Sequence, residues 1–283
     1  MNPCLHQRRP ARQPRCAAAS VCRGVLFIAA TAAFSAAAAE SRQLDIAFVG
    51  QVDSDAWHGA RQGITEANAQ GRFLGLDYEL TTIEADALPE HIESIAVIAD
   101  LDAAGLRRLA ERYADIAVFN VSSEEPDLRA NCQSNLLHTI PSAAMREAAI
   151  EQWRSQHPAA TVQALAWHED FEKYAAGQLN RRYAESASRP MNDVAWAAWA
   201  AVKVVSDQVA RSAGAAPAAL LTALKGPLAF DGQKGVDMSF RETGQLRQNL
   251  LLVEDDVIVG EAPVRGVAAP DDLDSLGLPS CQP

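Results

Sequence analysis

From residue 44 onward, short apolar runs alternate with stretches whose apolar residues recur every three or four positions. Residues 44–49 are mostly apolar and end at Gly50, the pattern of a buried parallel strand. Residues 57–69 read as a helix with Ala60, Ile64 and Ala67 on one face; Gly71 and Gly75 break it before an alternating strand at 76–82. An apolar run at 92–98, a helix at 103–113 with Leu106, Leu109 and Ala110 inward, and a strand at 116–120 complete a β-α-β-α-β series. This spacing predicts a parallel sheet with helices on both faces. Ligands of such sheets sit beyond the carboxyl ends of the strands, so the loops 50–57, 99–102 and 120–125 are expected to share one rim.

The pattern then becomes sparser. A helix is predicted at 143–153, a strand at 161–166, and helices at 171–185 and 192–212. Asn192 or Asp193 caps the last of these, and Trp196, Trp199, Val202 and Val205 form its buried stripe. A short helix at 217–225 stops at Gly226-Pro227. Turns and strands follow through 264, with Glu254-Asp255-Asp256 as the turn of a final hairpin.

The first 39 residues have a different character. Five arginines (Arg8, Arg9, Arg12, Arg15 and Arg23) precede an apolar run and an Ala37-Ala38-Ala39 cleavage-type site, which reads as a secretory signal peptide. The competing reading is an uncleaved anchor or a misplaced start. Cleavage would remove those five arginines and no acid, leaving 20 Lys+Arg against 36 Asp+Glu, a net charge of −16. So acidic a surface argues against nucleic acid and anionic membrane as partners. It would also leave Cys132 and Cys281 as the remaining cysteines, and an oxidising compartment favours one disulfide between them over two unrelated thiols.

Motifs of catalysis are missing: no G-x-S-x-G, Walker loop, G-x-G-x-x-G, C-x-x-C or H-E-x-x-H is present. No catalytic residue, metal or cofactor is therefore expected. Asp53, Asp55 and His58 share one loop, but an acidic segment capping the following helix explains them more simply than a metal site. Trp167-His168-Glu169-Asp170 offers an aromatic and an acid/base pair; His168 is expected at the surface and Asp170 as a helix cap.

The stretch Asn131-Cys132-Gln133-Ser134-Asn135-Leu136-Leu137-His138-Thr139-Ile140-Pro141-Ser142, after the Ser122-Ser123-Glu124-Glu125-Pro126 loop, carries a resemblance. It resembles the hinge crossing of type I periplasmic binding proteins, the branched-chain amino-acid receptors of ABC importers, with His138 standing where Arg is usual. The segments beginning at Arg189-Pro190 and at Phe230-Asp231-Gly232 are similar to later parts of the same family. The tail Leu273-Asp274-Ser275-Leu276-Gly277…Cys281 looks like that of the subgroup associated with PQQ-dependent (quinoprotein) alcohol dehydrogenase systems.

The resemblance implies an α/β, type I periplasmic binding protein-like fold: a parallel sheet flanked by helices, with a reduced second lobe. The reduction is implied because about seven residues separate Trp153 from Thr161, where the family has several β-α units. The domains would be a signal peptide at 1–39, a first lobe at 40–139, a reduced second lobe with hinge helices at 140–215, and a return segment at 216–283. A small-molecule solute would meet Ser122, Ser123 and Glu124, with Asp53 on the neighbouring loop and Trp167 in the cleft. His138, Thr139 and Ser142 would form the hinge, though His138 also reads as a satisfied strand-end histidine, and the serine hydroxyls also read as simple caps. The implied partners are ABC permease subunits and a periplasmic quinoprotein dehydrogenase, and the implied location is the periplasm. A degenerate receptor acting as an accessory protein for a dehydrogenase or sensor is the alternative.

Overall fold

The computed structural model describes residues 41–211 and 216–281; the expected signal peptide lies outside them. Five strands form the main sheet: β1 (Arg42–Val49), β2 (Leu76–Ile83), β3 (Ala96–Ala99), β4 (Ala117–Asn120) and β5 (Leu136–His138). Every neighbouring pair is parallel, in the order β2-β1-β3-β4-β5. Strand alternation divides the core in two. Ile46, Phe48, Ile98, Phe119 and Leu137 face a cluster containing α1 (Asp55–Gly71) and α6 (Asp193–Arg211). Ala47, Val49, Val97, Val118 and Leu136 face α2 (Ala103–Arg112). A sheet buried on both faces needs the near-continuous apolar strands seen here.

Local chemistry fixes the helix starts. Ser54 and Asp102 accept the backbone N–H of Trp57 and Gly105 at the heads of α1 and α2. Ser142 does the same for Met145 at α4 (Ala143–Gln156), and Asn192 caps α6 through Ala195. A short α3 (Asp127–Ala130) follows Pro126. The helix expected at 171–185 is divided: Tyr174 and Ala175 take positive φ, and α5 (Ala176–Ala187) begins only after them. α7 (Pro217–Leu224) opens on its proline, which suits the first helical position.

Beyond the crossing at 138–142, a second sheet forms from β6 (Gln163–Leu165), β7 (Leu250–Glu254) and β8 (Val257–Ala262). It is antiparallel, in the order β6-β7-β8. Its inner side packs Val162, Ala164, Leu250 and Leu252 on Met145 and Ala149 of α4. The chain returns beside the crossing: His138 N–H donates to the Gly244 carbonyl at 2.8 Å, and Leu246 N–H to the His138 carbonyl at 2.9 Å. Cys132 and Cys281 form a disulfide with Cα atoms 5.8 Å apart. Arg241 donates to the carbonyls of Leu273, Leu276 and Leu278, and Arg247 pairs with Asp274, so the tail motif is fastened along its length.

α1 and α6 pack too closely for side chains at two positions. A Cβ on Gly59 would lie 2.0 Å from the Ala195 carbonyl oxygen, and one on Gly63 2.7 Å from Val202 Cβ. In an isolated helix Gly→Ala is favourable by about 1 kcal/mol. Here the backbone oxygen cannot yield, so Gly59→Ala is expected to destabilise by about 2 kcal/mol in urea unfolding. An unchanged or raised midpoint would show that the helices separate freely.

Candidate functional site

The loops after β3 and β4 meet where the topology requires, at the carboxyl rim of the parallel sheet. Asn120, the last residue of β4, organises the second loop. Its Oδ1 accepts the N–H groups of Ser122 (3.2 Å) and Ser123 (2.9 Å), and its Nδ2 donates to the Ser123 carbonyl (2.7 Å). Ser122, Ser123, Glu124 and Glu125 then form one wall of a 540 Å³ cleft; Asp100, Asp102 and Ala103 form the other.

Glu124 also walls a larger cleft of 620 Å³ that runs between the crossing and the second sheet. Ile140, Ile150, Val162, Leu165, Met191 and Val194 give this cleft apolar sides. At its base lies Arg146 of α4, 2.8 Å from Glu124 Oε1 and 2.7 Å from Asp193 Oδ2, and it also donates to the Ala164 carbonyl. Burial alone would lower the Arg146 pKa, but Asp193 and then Glu124 outweigh it and hold the guanidinium above its ordinary value. Asp193 is itself tied down, its other oxygen accepting the Trp167 N–H at 2.8 Å.

A second buried arginine anchors the loop from behind. Arg129 donates to the carbonyls of Ser123 (2.8 Å), Glu125 (3.0 Å) and Ile140 (3.1 Å), and to Gln245 Oε1 (3.0 Å). It thereby joins the rim loop, the crossing and the return segment. Burial pushes its pKa down to about 9, because its hydrogen-bond partners are neutral.

The expected site residues are not gathered in one pocket. Ser122 and Ser123 line the rim cleft, Trp167 the larger cleft, and Glu124 both. Asp53 lines neither: it is largely exposed, bonds His58 Nε2 at 2.7 Å, and stands near Arg189 at 3.8 Å. Asp55 pairs with Arg189 and Asn192. Among the described residues no His/Cys/Asp/Glu group could hold a metal ion. The Trp167 ring is buried, stacked on Trp196 with centroids 5.9 Å apart, and its Nε1 donates to Asn180. His168, expected at the surface, is buried; its Nδ1 accepts the Asp170 N–H and its Nε2 faces Asp256 at 3.2 Å. Asp170 accordingly closes a local turn and caps no helix.

Thr139 and Ser142 of the crossing are engaged, but the buried His138 Nε2 has no hydrogen-bond partner among the described residues, so this histidine is satisfied on one side only. His138 Nδ1 lies 2.9 Å from Asn120 Nδ2, while burial and then nearby Arg129 hold its pKa well below the ordinary histidine value. Thr139 Oγ1 donates to the Ala197 carbonyl at 2.8 Å, and Ser142 caps α4. Three residues central to the site, Arg129, Arg146 and Asp193, escaped the sequence reading as site residues. Asp193 entered that reading only as an alternative cap of α6; Asn192 takes the cap, which leaves the Asp193 carboxylate for Arg146 and the Trp167 N–H.

No family model matches the chain, and neither does any curated protein. Solved structures do. A branched-chain amino acid ABC transporter periplasmic ligand-binding protein from Burkholderia xenovorans superposes with a TM-score of 0.66 at 8% identity, over 77% of this chain and 95% of that one. The leucine-binding protein LivK of Thermotoga maritima gives 0.61 at 10% identity, over 77% and 98%. The branched-chain amino acid transporter substrate-binding protein LivJ of Streptococcus pneumoniae, in complex with isoleucine, gives 0.56 at 9%, over 78% and 99%. The fold is the α/β fold of type I periplasmic binding proteins, as the sequence led us to expect. No helix among the described residues is long and apolar enough to cross a membrane.

Proposed function

We propose that this chain is a non-catalytic, periplasmic solute-binding component of an ABC-type importer, delivering a small polar solute to permease subunits beside a quinoprotein alcohol dehydrogenase system. One observation carries the reading. Glu124 walls both clefts and is clamped by Arg146, which also holds Asp193, so the rim loop, the helix after the crossing and the start of α6 meet at a single guanidinium. In this reading Ser122 and Ser123 offer their hydroxyls to the solute, and Thr139 and Ser142 belong to the hinge. The dehydrogenase link is supported by the Leu273-to-Cys281 tail alone.

Thermal unfolding of the oxidised protein against amino acids, alcohols, aldehydes, acids and PQQ tests this function. A solute at 100 times its Kd should stabilise the native state by about 2.7 kcal/mol, several degrees for a chain of this size. A second reading, an accessory protein with a reduced second lobe that docks on the dehydrogenase, is favoured by the dispersal of Asp53, Ser122 and Trp167 over different surfaces. A flat panel on a cooperatively folding protein, with retention on immobilised dehydrogenase, would replace the first reading by the second.

A further inference from the structure

The two clefts differ in volume and apolarity but share a chemical bias: their cationic side chains are committed, while several of their carboxylates are not. The N–H groups of Ser122 and Ser123 are held by Asn120, Arg129 is spent on carbonyls and Gln245, and Arg146 is divided between two carboxylates. α2 opens on the rim cleft at Ala103, directly after the acids Asp100 and Asp102, which line the same cleft. In the larger cleft four carboxylates (Glu124, Glu169, Asp193 and Asp256) stand against the single guanidinium of Arg146, with the His168 ring facing Asp256. Among the described residues, Glu124 gives one oxygen to Arg146 and keeps Oε2 uncommitted, and the side chains of Asp100, Glu125 and Glu169 make no hydrogen bond or ion pair.

A carboxylate entering here finds repulsion, with no uncommitted cation among the described lining residues. A cation finds Glu124. Apolar walls at Ile140, Ile150 and Leu165 then call for a hydrocarbon body beside that charge. Building on the solute-binding function above, we infer that the ligand class is an aliphatic amine or amino alcohol, with its ammonium on Glu124 and its carbon body in the larger cleft, and that the site discriminates against carboxylates.

A matched set separates the possibilities: isopentylamine, L-leucine, 4-methylpentanoate and isopentanol, titrated calorimetrically into the full mature oxidised chain. Isopentylamine is expected to bind at least tenfold more tightly than leucine or 4-methylpentanoate, with affinity falling between 20 and 300 mM salt, on the order of the Debye screening range. Glu124→Gln should weaken it about tenfold or more. Because that variant also loses the pair with Arg146, Glu169→Gln at the mouth serves as the milder test, with a loss of about two- to threefold. Leucine or 4-methylpentanoate binding as tightly as the amine would overturn the ligand class while leaving the solute-binding function standing. So would isopentanol binding more tightly than the amine, or amine affinity indifferent to both variants. No binding in this set or in the broader panel would remove both.

Discussion

Reduction of the Cys132–Cys281 bridge is expected to lower the stability of the protein by about 4–5 kcal/mol, and its Tm by roughly 8–20 °C. The bridge joins residues 149 positions apart, so in the unfolded chain it closes most of the described sequence into one loop. Loop-closure entropy grows only logarithmically with length, but at this length it is near the top of its range. The folded side of the balance changes less. Arg241 and Arg247 still hold the tail by its carbonyls and by Asp274, and Leu273 and Leu276 remain buried. Urea unfolding of the oxidised protein, the reduced protein and a Cys132→Ser/Cys281→Ser double variant measures the difference. If reductant leaves the midpoint of the parent within about 1 kcal/mol of its oxidised value, the bridge adds nothing beyond the arginine contacts.

The second large effect concerns Lys234. Its ammonium is buried, donating to Gln248 Oε1 (2.8 Å) and the Asn249 carbonyl (3.1 Å) and lying 3.8 Å from the centre of the Trp196 ring. Among the described residues no carboxylate bonds it. Burial therefore prevails over the attraction of Asp193 and pulls its pKa down to about 7 from the 10.5 of a free lysine. The sign follows from proton counting. Below about pH 7 both the folded and unfolded states carry the proton, and the penalty for burying the charge is fully present. Between pH 7 and 10.5 the unfolded state binds more protons, so stability rises with pH, by up to about 1.4 kcal/mol per unit. Towards pH 12 the trend reverses, because burial holds the Tyr78 hydroxyl up at about 12 while the unfolded tyrosine ionises near 10. Urea unfolding at pH 7, 8 and 9 is expected to show a rise of roughly 1 kcal/mol per unit, absent in Lys234→Met. A parent with a flat profile would mean that Gln248, Asn249 and the Trp196 ring fully replace the water around this ammonium.

Much of the fold is written locally. β1 to β4 and α1, α2, α4 and α6 fall within a few residues of their expected positions, because each buries a face whose period is visible in the order of side chains, whereas the four-residue α3 was not foreseen. β5 is the exception among the strands. Leu136-Leu137-His138 is too short to show a period, and it becomes a strand only because β4 offers it an edge. The turn at Tyr174 and Ala175 was illegible for a related reason: positive φ at two non-glycine residues has no local signature. There the Tyr174 ring lies so close to Gly235 that a Cβ on that glycine would sit 2.4 Å from it.

The sequence by itself determined the parallel sheet, the place of the Ser122-Ser123-Glu124 loop at its carboxyl rim and the buried tryptophan stripe of α6. All of these follow from side-chain period, strand order or residue type over short spans. Only the tertiary structure decided what charge the rim presents. Arg129, Arg146 and Asp193 are 17 to 64 residues apart along the chain from one to another, and each reads locally as an ordinary polar residue on a helix. Folding brings Arg146 between Glu124 and Asp193 and turns Arg129 inward onto the carbonyls of the loop. Electrostatics depends on distance in space, so the balance of paired cations and uncommitted carboxylates along these clefts arises only once the crossing has brought the rim loop against the second sheet.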